Sequence, residues 1–407
     1  MKYNYTLILL LFMTAAFAQP KNATADFDQL PTVAWRFSST QPFIASPVVS
    51  EGLVYVGGLD STLYALNLTT GAVQWKLKTN GEIRSNVLVH GPHVFLLGGN
   101  GVLSCLDKQS GKVVWRQLFD NTALFLGERR YDWADYYHTS PVVYEDLLLF
   151  GTGNSRFQAV KVADGTPVWS FQASDIIHNT AVVQDGKVYF GSFDGQVYSL
   201  HAATGQLLWQ FKTVGHRYFP RGEVQGSPAA GMGSVFIGAR DYNFYALNGT
   251  SGYAHWNRTY PNGWALSATY RDSVIYVGTS DDRVLLALDA VSGQERWRTN
   301  VKFNIFGGCA FTPQLVYVGT LWGKLYGIDR KTGAIRWAFA TDGYQAHHLK
   351  YFKEDDTYRD DIGRILPSAR HAIEAEYRMG GIFSTPAVSG NWLVLSTAEG
   401  KVYGLKR

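Results

Sequence analysis

Short runs of apolar and aromatic residues, separated by polar turn residues, recur along the whole chain. Between Ser46 and Trp75, the segments SPVV, LVYVGG, TLYALN and AVQW alternate with stretches of Gly, Asp, Asn and Thr. This division is typical of β-strands joined by tight turns. Each such unit is therefore predicted to form a four-stranded antiparallel sheet, with a turn glycine such as Gly71 supplying a positive φ.

A tryptophan ends most of these units, and successive tryptophans lie about 40 residues apart, a period typical of β-propellers. The eight positions are Trp35, Trp75, Trp115, Trp169, Trp209, Trp256, Trp297 and Trp337. The final repeat begins at Phe383 and ends without a fourth strand or a tryptophan, so the segment around Trp35 is predicted to complete it and close the ring. We therefore expect an all-β fold, an eight-bladed β-propeller of four-stranded antiparallel blades, forming a single domain over residues 19–407.

The first 18 residues have the pattern of a signal peptide, with a lysine in MKYNY, the apolar run LILLLFM, and the cleavage site Ala16-Phe17-Ala18. Gln19 follows instead of a cysteine, which favours a secreted, periplasmic or extracellular protein over a lipoprotein. No later stretch approaches 18 apolar residues, so we expect a soluble mature chain without a transmembrane segment. Cys105 and Cys309 fall on distant blades and are expected to be buried free thiols.

The composition agrees with a compact β protein. Hydrophobic residues make up 46% of the chain, charged residues 17%, and there are 42 glycines, which argues against a disordered or coiled-coil protein. The formal net charge of +4 is small for 407 residues, and no run of Lys and Arg is present. Nucleic acid is therefore not an expected partner.

The repeated phrase SPVV, VYVG, YALN, TTG and Trp resembles the tryptophan-docked repeat of the pyrroloquinoline quinone (PQQ)-like propeller family, and the resemblance covers nearly the whole mature chain. That family includes quinoprotein dehydrogenases, sensor domains and non-catalytic scaffolds. Eight blades and an export signal are similar to the BamB-like scaffold branch, which includes the propeller subunit of the outer-membrane β-barrel assembly machinery. The resemblance implies a binding scaffold whose loops on the disc engage another exported or envelope protein.

The same resemblance implies what an enzyme of the superfamily would need. Its quinoprotein alcohol dehydrogenases hold PQQ beneath two adjacent cysteines, coordinate calcium through Glu, Asn and Asp, and use an aspartate base. This chain has neither a Cys-Cys pair nor a C-x-x-C-H haem motif. We therefore expect no catalytic residues and no cofactor, and keep a redox protein that binds PQQ with calcium as the alternative.

Three connections are longer than the repeat, near residues 119–138, 213–226 and 341–382. Each joins the fourth strand of one blade to the first strand of the next, so all three are predicted to lie on one face of the disc, where loops commonly bind ligands. We call it the insertion face. The third insertion contains the acidic run KEDDTYRDD, predicted to be a solvated loop, and SARHAIEAEYRM, predicted to form one short helix. Its His, Asp and Glu residues match no metal-binding motif.

The first two insertions combine arginine and histidine with aromatic residues. The candidate binding residues are Arg129, Arg130, Trp133 and Tyr137 in the first insertion, and His216, Arg217 and Arg221 in the second. Arginine among aromatic rings suits an anionic or planar ligand and equally a protein interface. The alternative interpretation is that these side chains only pack the insertions onto the disc.

One position at the start of each first strand faces the predicted central channel. In blades one to eight it is occupied by Ile44, Arg84, His138, His178, Gln225, Ala265, Phe306 and Phe383. We call this set the channel column. Blades two to five contribute a polar arc, Arg84, His138, His178 and Gln225, which is a candidate small-ligand site at the channel mouth because ligand pockets combine a few polar groups with apolar walls. The alternative is that the four side chains face channel water. Trp322, in blade seven, is predicted either to extend an exposed binding surface or to cap the neighbouring blade.

Overall fold

Eight four-stranded antiparallel sheets form a ring in the computed structural model, which describes residues 25–119 and 138–407. In seven blades the strands are hydrogen-bonded in chain order from the channel outwards. The innermost strands contact those of neighbouring blades, and the outermost strands alternate exposed and partly buried residues. The predicted eight-bladed β-propeller is confirmed.

The strands of each blade are short, as the repeat predicts. Blades one to four comprise β2 Val48–Ser50, β3 Leu53–Gly57, β4 Thr62–Asn67 and β5 Val73–Lys78; β6 Leu88–His90, β7 His93–Leu97, β8 Val102–Asp107 and β9 Val113–Leu118; β10 Val142–Tyr144, β11 Leu147–Gly151, β12 Arg156–Lys161 and β13 Pro167–Gln172; and β14 Val182–Gln184, β15 Lys187–Gly191, β16 Gln196–His201 and β17 Leu207–Lys212. Blades five to eight comprise β18 Ala229–Gly231, β19 Ser234–Gly238, β20 Asn243–Asn248 and β21 Ala254–Thr259; β22 Ala265–Arg271, β23 Val274–Thr279, β24 Val284–Asp289 and β25 Glu295–Asn300; β26 Ala310–Phe311, β27 Leu315–Gly319, β28 Lys324–Asp329 and β29 Ile335–Ala340; and β30 Ala387–Ser389, β31 Trp392–Thr397, β32 Lys401–Lys406 and β1 Thr32–Ser38.

The two ends of the described chain close the ring together. Strand β1 pairs antiparallel with β32, with Trp35 opposite Gly404, so the order in blade eight is β1-β32-β31-β30. The predicted closure around Trp35 is therefore confirmed. It leaves no unpaired strand between the first and last blades, where an open edge would invite pairing with another chain.

Each repeat tryptophan attaches its blade to the next one. The indole N–H donates to a backbone carbonyl of the following blade in seven cases, for example from Trp35 to Leu68 at 2.8 Å. Trp337 instead uses the carbonyl of Phe27, in the segment before β1, because blade eight has no turn between its third and fourth strands. The glycine of the turn lies beneath the ring: a Cβ on Gly71, whose φ is +70°, would lie 2.6 Å from Trp35. Glycine is thus needed both for the turn and for the docking of the tryptophan.

The third insertion is helical. It contains α1 Asp342–Tyr351, α2 Ile362–Ile365 and α3 Ala369–Arg378, of which only α3 was predicted from the sequence. Helix α1 begins after Thr341, whose hydroxyl accepts a hydrogen bond from the Tyr344 amide. Its apolar and polar residues show little helical periodicity, which is why the pattern did not predict it. No helix in residues 25–119 and 138–407 is long and apolar enough to cross a membrane.

The two cysteines are buried and free, as predicted. Burial raises the pKa of the Cys309 thiol to about 12 and that of Cys105 to about 11. Both thiols therefore stay protonated at neutral pH and pack as small apolar groups.

Candidate functional site

The inner wall of the channel is held by a chain of hydrogen bonds from blade to blade. A backbone amide at the start of one first strand donates to a side-chain oxygen of an adjacent blade. The pairs are Ser46 to Asn86, Asn86 to Ser140, Ser140 to Thr180, Thr180 to Ser227, Cys309 to Thr269, Gly308 to Thr385, and Thr385 to Ser46. The sequence analysis missed this role, although a small polar residue at the same repeat position was its visible signal.

The polar arc lines one cavity inside this wall. Arg84, His138, His178 and Gln225 all border a space of about 230 Å³, together with the channel hydroxyls and the rings of Phe306 and Phe383. The structure thus brings together the four residues that the channel column predicted. Each of the four is at most 5% exposed, so they do not simply face open channel water. The rings of His138 and His178 lie 5.2 Å apart in an edge-on arrangement.

Arg84 is the charged group of this cavity. Its guanidinium donates to the Glu82 carboxylate at 2.9 Å, and its side chain is completely buried. Tyr377, from α3 of the third insertion, lies beside it; burial raises the pKa of the Tyr377 hydroxyl, and the Arg84 charge opposes that rise. The third insertion therefore reaches across the insertion face as far as blade two.

The apolar half of the channel column is covered by the same insertion. Ile44, Phe306 and Phe383 belong to one hydrophobic cluster with Ile373 of α3 and with Met379. Burying apolar side chains in this way supplies most of the free energy that holds an insertion onto a disc. The polar and apolar halves thus differ in what lies above them.

Trp322 belongs to this covered region. It is 2% exposed, and its ring packs edge-on against Phe352 at 4.8 Å and lies 6.0 Å from Tyr358. The idea that Trp322 is exposed and extends a binding surface is wrong, because the helical insertion needs an apolar floor and buries it. The alternative, that Trp322 caps the neighbouring blade, stays a prediction, since these ring contacts are to the third insertion.

The acidic run of the third insertion is only partly solvated. Asp356 accepts hydrogen bonds from Lys324 at 2.5 Å and from the Tyr344 hydroxyl, and the His348 Nε2 lies 3.0 Å from its carboxylate. The solvated-loop prediction is therefore wrong at Asp356. This carboxylate joins the insertion to β28, through Lys324. Its neighbours Asp355 and Asp360 remain on the surface.

The second insertion has an anchored half and an exposed half. Phe219 packs against Trp264 at 5.4 Å, and the Arg240 guanidinium lies 4.0 Å from the Phe219 ring centroid. Tyr218 is 63% exposed and carries the Arg217 guanidinium 4.5 Å over its ring. The anchored half agrees with the packing interpretation, while the exposed half does not pack onto the disc.

The remaining predicted residues of the second insertion lie at its edges. The His216 ring lies 4.2 Å from that of Tyr242 and 5.4 Å from that of Tyr218, and Arg221 forms an ion pair with Asp175. None of His216, Arg217 and Arg221 lines the channel cavity. The structure thus separates these residues from the polar arc. Arg129, Arg130, Trp133 and Tyr137, like the signal segment 1–18, fall outside the described residues and stay predictions.

The described lining of the channel cavity does not supply the ligands that calcium-bound PQQ would need. Calcium prefers six to eight oxygen ligands with several carboxylates. The described residues that line the cavity include no Asp or Glu, and the nearby Glu82 carboxylate is bound to Arg84. Across residues 25–119 and 138–407, no group of three or more His, Cys, Asp or Glu is arranged to hold a metal ion.

Eight four-stranded blades, each docked onto its neighbour by a tryptophan, define the protein as an eight-bladed PQQ-like β-propeller. The profile of the family described as outer membrane protein assembly factor BamB matches residues 31–88, 81–218 and 194–342. The chain therefore belongs to this BamB-type family of PQQ-like repeat proteins.

Individual relatives match shorter stretches. The outer membrane protein assembly factor BamB of Yersinia pestis is 29% identical over 141 residues, which cover 34% of this chain and 33% of that protein. Quinohemoprotein alcohol dehydrogenase ADH IIB of Pseudomonas putida is 37% identical over 99 residues, covering 21% of this chain and 14% of the enzyme. The chain thus matches about a third or less of the length of these curated relatives.

Solved structures share the fold at low sequence identity. BamB from Moraxella catarrhalis superposes with a TM-score of 0.67 at 13% identity, covering 93% of this chain and all of the other. A europium-containing methanol dehydrogenase gives the same TM-score and identity over 92% of this chain and 93% of that enzyme. Because BamB and an enzyme superpose equally well, this likeness establishes the fold alone.

Proposed function

We propose that this protein is an exported, non-catalytic scaffold that binds another envelope protein through its insertion face. The observation that carries the proposal is the exposed half of the second insertion, where Val214 is 76% exposed and Tyr218 is 63% exposed beneath the Arg217 guanidinium. Tyrosine and arginine dominate the binding energy of many protein interfaces. Membership of a family described as outer membrane protein assembly factors supports a partner from that assembly process.

The anchoring of the insertion strengthens this proposal. Phe219 fixes the base of the loop on Trp264, and backbone hydrogen bonds between His216 and Phe219 close the turn that carries Tyr218. A surface that is ordered before binding loses less conformational entropy when a partner arrives. Arg129, Arg130, Trp133 and Tyr137 of the first insertion are proposed to extend the same surface, since that insertion is predicted to lie on the same face.

Site-specific photo-crosslinking in the native envelope tests the proposal. A photoreactive phenylalanine analogue at Tyr218 should give a crosslink to an outer-membrane assembly protein. The matched control is the same analogue at Tyr253, which is 79% exposed but lies in a turn between the third and fourth strands, on the opposite face. Replacing Arg217 and Tyr218 with Ala should reduce co-purification of the crosslinked protein, with a stability change within about 0.5 kcal/mol. Equal crosslinking at both positions would contradict the assigned face.

The alternative, a redox protein that binds PQQ, is tested on the same purified chain. A titration with PQQ, with and without Ca²⁺, followed by dye reduction with an alcohol panel, should give neither saturable binding nor turnover. Binding with turnover would replace the scaffold proposal and make the polar arc, Arg84, His138, His178 and Gln225, the site.

The mass of the exported protein checks the signal peptide, because cleavage after Ala18 leaves Gln19 as the first residue.

A further inference from the structure

Five blades have a tyrosine at the same position of the third strand, where it fills the space towards the preceding blade. In blade seven this is Tyr326, whose hydroxyl donates to the Val301 carbonyl of blade six. In the other four blades the tyrosine hydroxyl donates to an acid four residues earlier. These pairs are Tyr64 with Asp60, Tyr198 with Asp194, Tyr245 with Asp241, and Tyr403 with Glu399. Each ring also packs on a phenylalanine of the preceding blade, at centroid distances of 4.9 to 5.5 Å. We call this space the interblade slot; in these four blades it holds an aromatic ring beside a carboxylate.

Blade two departs from its own repeat at every one of these positions. Ser104 stands where the tyrosine would be, Asn100 replaces the acid, and Leu77 of blade one replaces the phenylalanine. A cavity of about 320 Å³ opens there, with Ser104 buried at its base. At the slot of blade six, Leu286 replaces the tyrosine and the cavity is only about 140 Å³. The slot of blade two is therefore large because the side chain of Ser104 is small.

Two cations flank this empty slot. Lys78 of blade one and Arg116 of blade two line it, and none of the described residues around it is Asp or Glu. Neither cation forms an ion pair with a carboxylate in the described part of the chain; the Lys78 ammonium donates to the Asp60 carbonyl. The slot has thus lost both the aromatic ring and the negative charge that fill its counterparts, while it keeps two positive charges.

Blade eight indicates how a ring would be held in this slot. There Arg36 lies opposite Tyr403 across the outer strand pair, and its guanidinium is 5.6 Å from the ring centroid. In blade two, Arg116 lies opposite Ser104 in the same register. A ring entering the slot would meet Arg116 as Tyr403 meets Arg36, which favours a cation–π contact. Leu118, 62% exposed at the mouth, adds apolar area.

We propose that the slot between blades one and two binds an aromatic side chain with acidic neighbours, presented by a peptide segment of a partner protein. The ring occupies the space that tyrosine fills in five other blades, and the acidic residues pair with Lys78 and Arg116. Thr79 and Asn80, from the connection between blades one and two, and Asn100 line the slot, so it opens at the insertion face and the inference deepens the proposed function. Tyr218→Ala, which changes only the second insertion, distinguishes failure of the one from failure of the other.

The probe is acetyl-Asp-Glu-(4-fluoro-Phe)-Asp-Glu-amide, titrated against the full chain and followed by fluorine NMR. The wild-type protein should shift or broaden the signal saturably, and Arg116→Glu should weaken binding about tenfold or more by reversing one attractive charge. The double variant Ser104→Tyr with Asn100→Asp restores the pair used by four blades. It should fold with an unchanged or raised melting temperature and abolish binding.

Control peptides and variants test whether binding needs the ring, the acidic residues and this slot. A peptide with Lys in place of the acids, or one with Ala in place of the ring, should not bind, while Tyr218→Ala should leave binding unchanged. Binding retained by the filled double variant, equal binding of the basic peptide, or no binding to the wild type would overturn the proposal. So would a self-association that disappears in the double variant, since the occupant would then be a second copy of this chain. Should the double variant not fold, Arg116→Glu decides alone.

Discussion

The two halves of the channel column differ although they occupy the same repeat position. In blades six, seven, eight and one the column is apolar, and three of its four residues pack into the cluster that the helical third insertion covers. In blades two to five it is polar and lines the 230 Å³ cavity. The blades beneath are alike in the number and antiparallel pairing of their strands. The fold therefore fixes where these side chains lie, while the residue type at each position differs between the half packed under the insertion and the half that lines the cavity.

Side chains at one repeat position also differ between blades in the outer part of the molecule. Tyr64 and Tyr403 fill their interblade slots, while Ser104 leaves one open in an otherwise regular sheet. Changes of side chain at a repeat position thus create sites without changing the backbone. In a propeller, where each blade contacts mainly its two neighbours, such changes remain local.

If the two halves differ only in lining and cover, tryptophan docking should be equally strong in both. We expect Trp75→Ala, between blades one and two, and Trp297→Ala, between blades six and seven, each to cost about 3–5 kcal/mol, because each removes a large packed ring and its hydrogen bond to the next blade. Chemical denaturation monitored by circular dichroism measures both. Tyr253→Ala, on an exposed turn, is the control and should be nearly neutral. A neutral result for either tryptophan would contradict uniform docking.

The packing of the third insertion onto the apolar half of the channel column can be disrupted while the ring of blades stays folded. Ile373 is fully buried in α3 against the apolar column, so Ile373→Asp places an unpaired charge there. We expect the third insertion to detach, with tryptic cleavage within residues 342–378 accelerated about tenfold or more, while the β-sheet signal persists. Gly363→Asp is the matched control, because Gly363 is exposed and has open space around its Cβ. Unchanged cleavage of Ile373→Asp would mean that the apolar column does not hold the insertion.

The regular parts of the molecule could be predicted from the sequence. The 40-residue period, the missing last strand and the turn glycines fixed eight blades and their closure by Trp35, because each depends on local pattern. The polar arc followed from the same alignment, since a repeat position determines where a side chain lies. The contact of Arg84 with Tyr377 did not follow, because Tyr377 lies in an insertion far away in the sequence.

The parts of the molecule that depend on the third insertion could not be predicted from the local sequence pattern. Helix α1 lacks an amphipathic pattern, and Trp322 looked exposed because the residues that bury it, such as Phe352, lie about 30 positions later in a segment outside the repeat. Asp356 looked solvated within an acidic run, yet Lys324 and Tyr344 bind it. In each case a tertiary contact overrides local composition. The empty slot at Ser104 could have been found, since the repeat alignment alone reveals the missing tyrosine.

The smallest expected difference between the two halves is in acid stability. It arises in the turns between third and fourth strands, on the face opposite the insertion face. In blade seven, the hydrogen bond from Arg336 and those from the turn residues Thr332 and Lys331 lower the pKa of Asp329 to about 2. In blade two, hydrogen bonds from the Ser110 hydroxyl and amide lower the pKa of Asp107, and no arginine contributes. Both folded-state values lie below the unfolded value of about 3.9. The stabilisation is therefore present above about pH 4 and is lost as the pH falls towards 2.

Replacing each aspartate with asparagine keeps the turn acceptor but removes the titration. We expect Asp329→Asn to flatten the fall of the urea midpoint between pH 4 and pH 2 more than Asp107→Asn does, because the stronger depression belongs to the carboxylate paired with arginine. At neutral pH the Asp329 variant should be slightly less stable than wild type, since it lacks the ion pair with Arg336. If both variants followed the wild-type acid profile in parallel, the arginine of blade seven would contribute nothing to acid stability, and the two halves would be equivalent on this face.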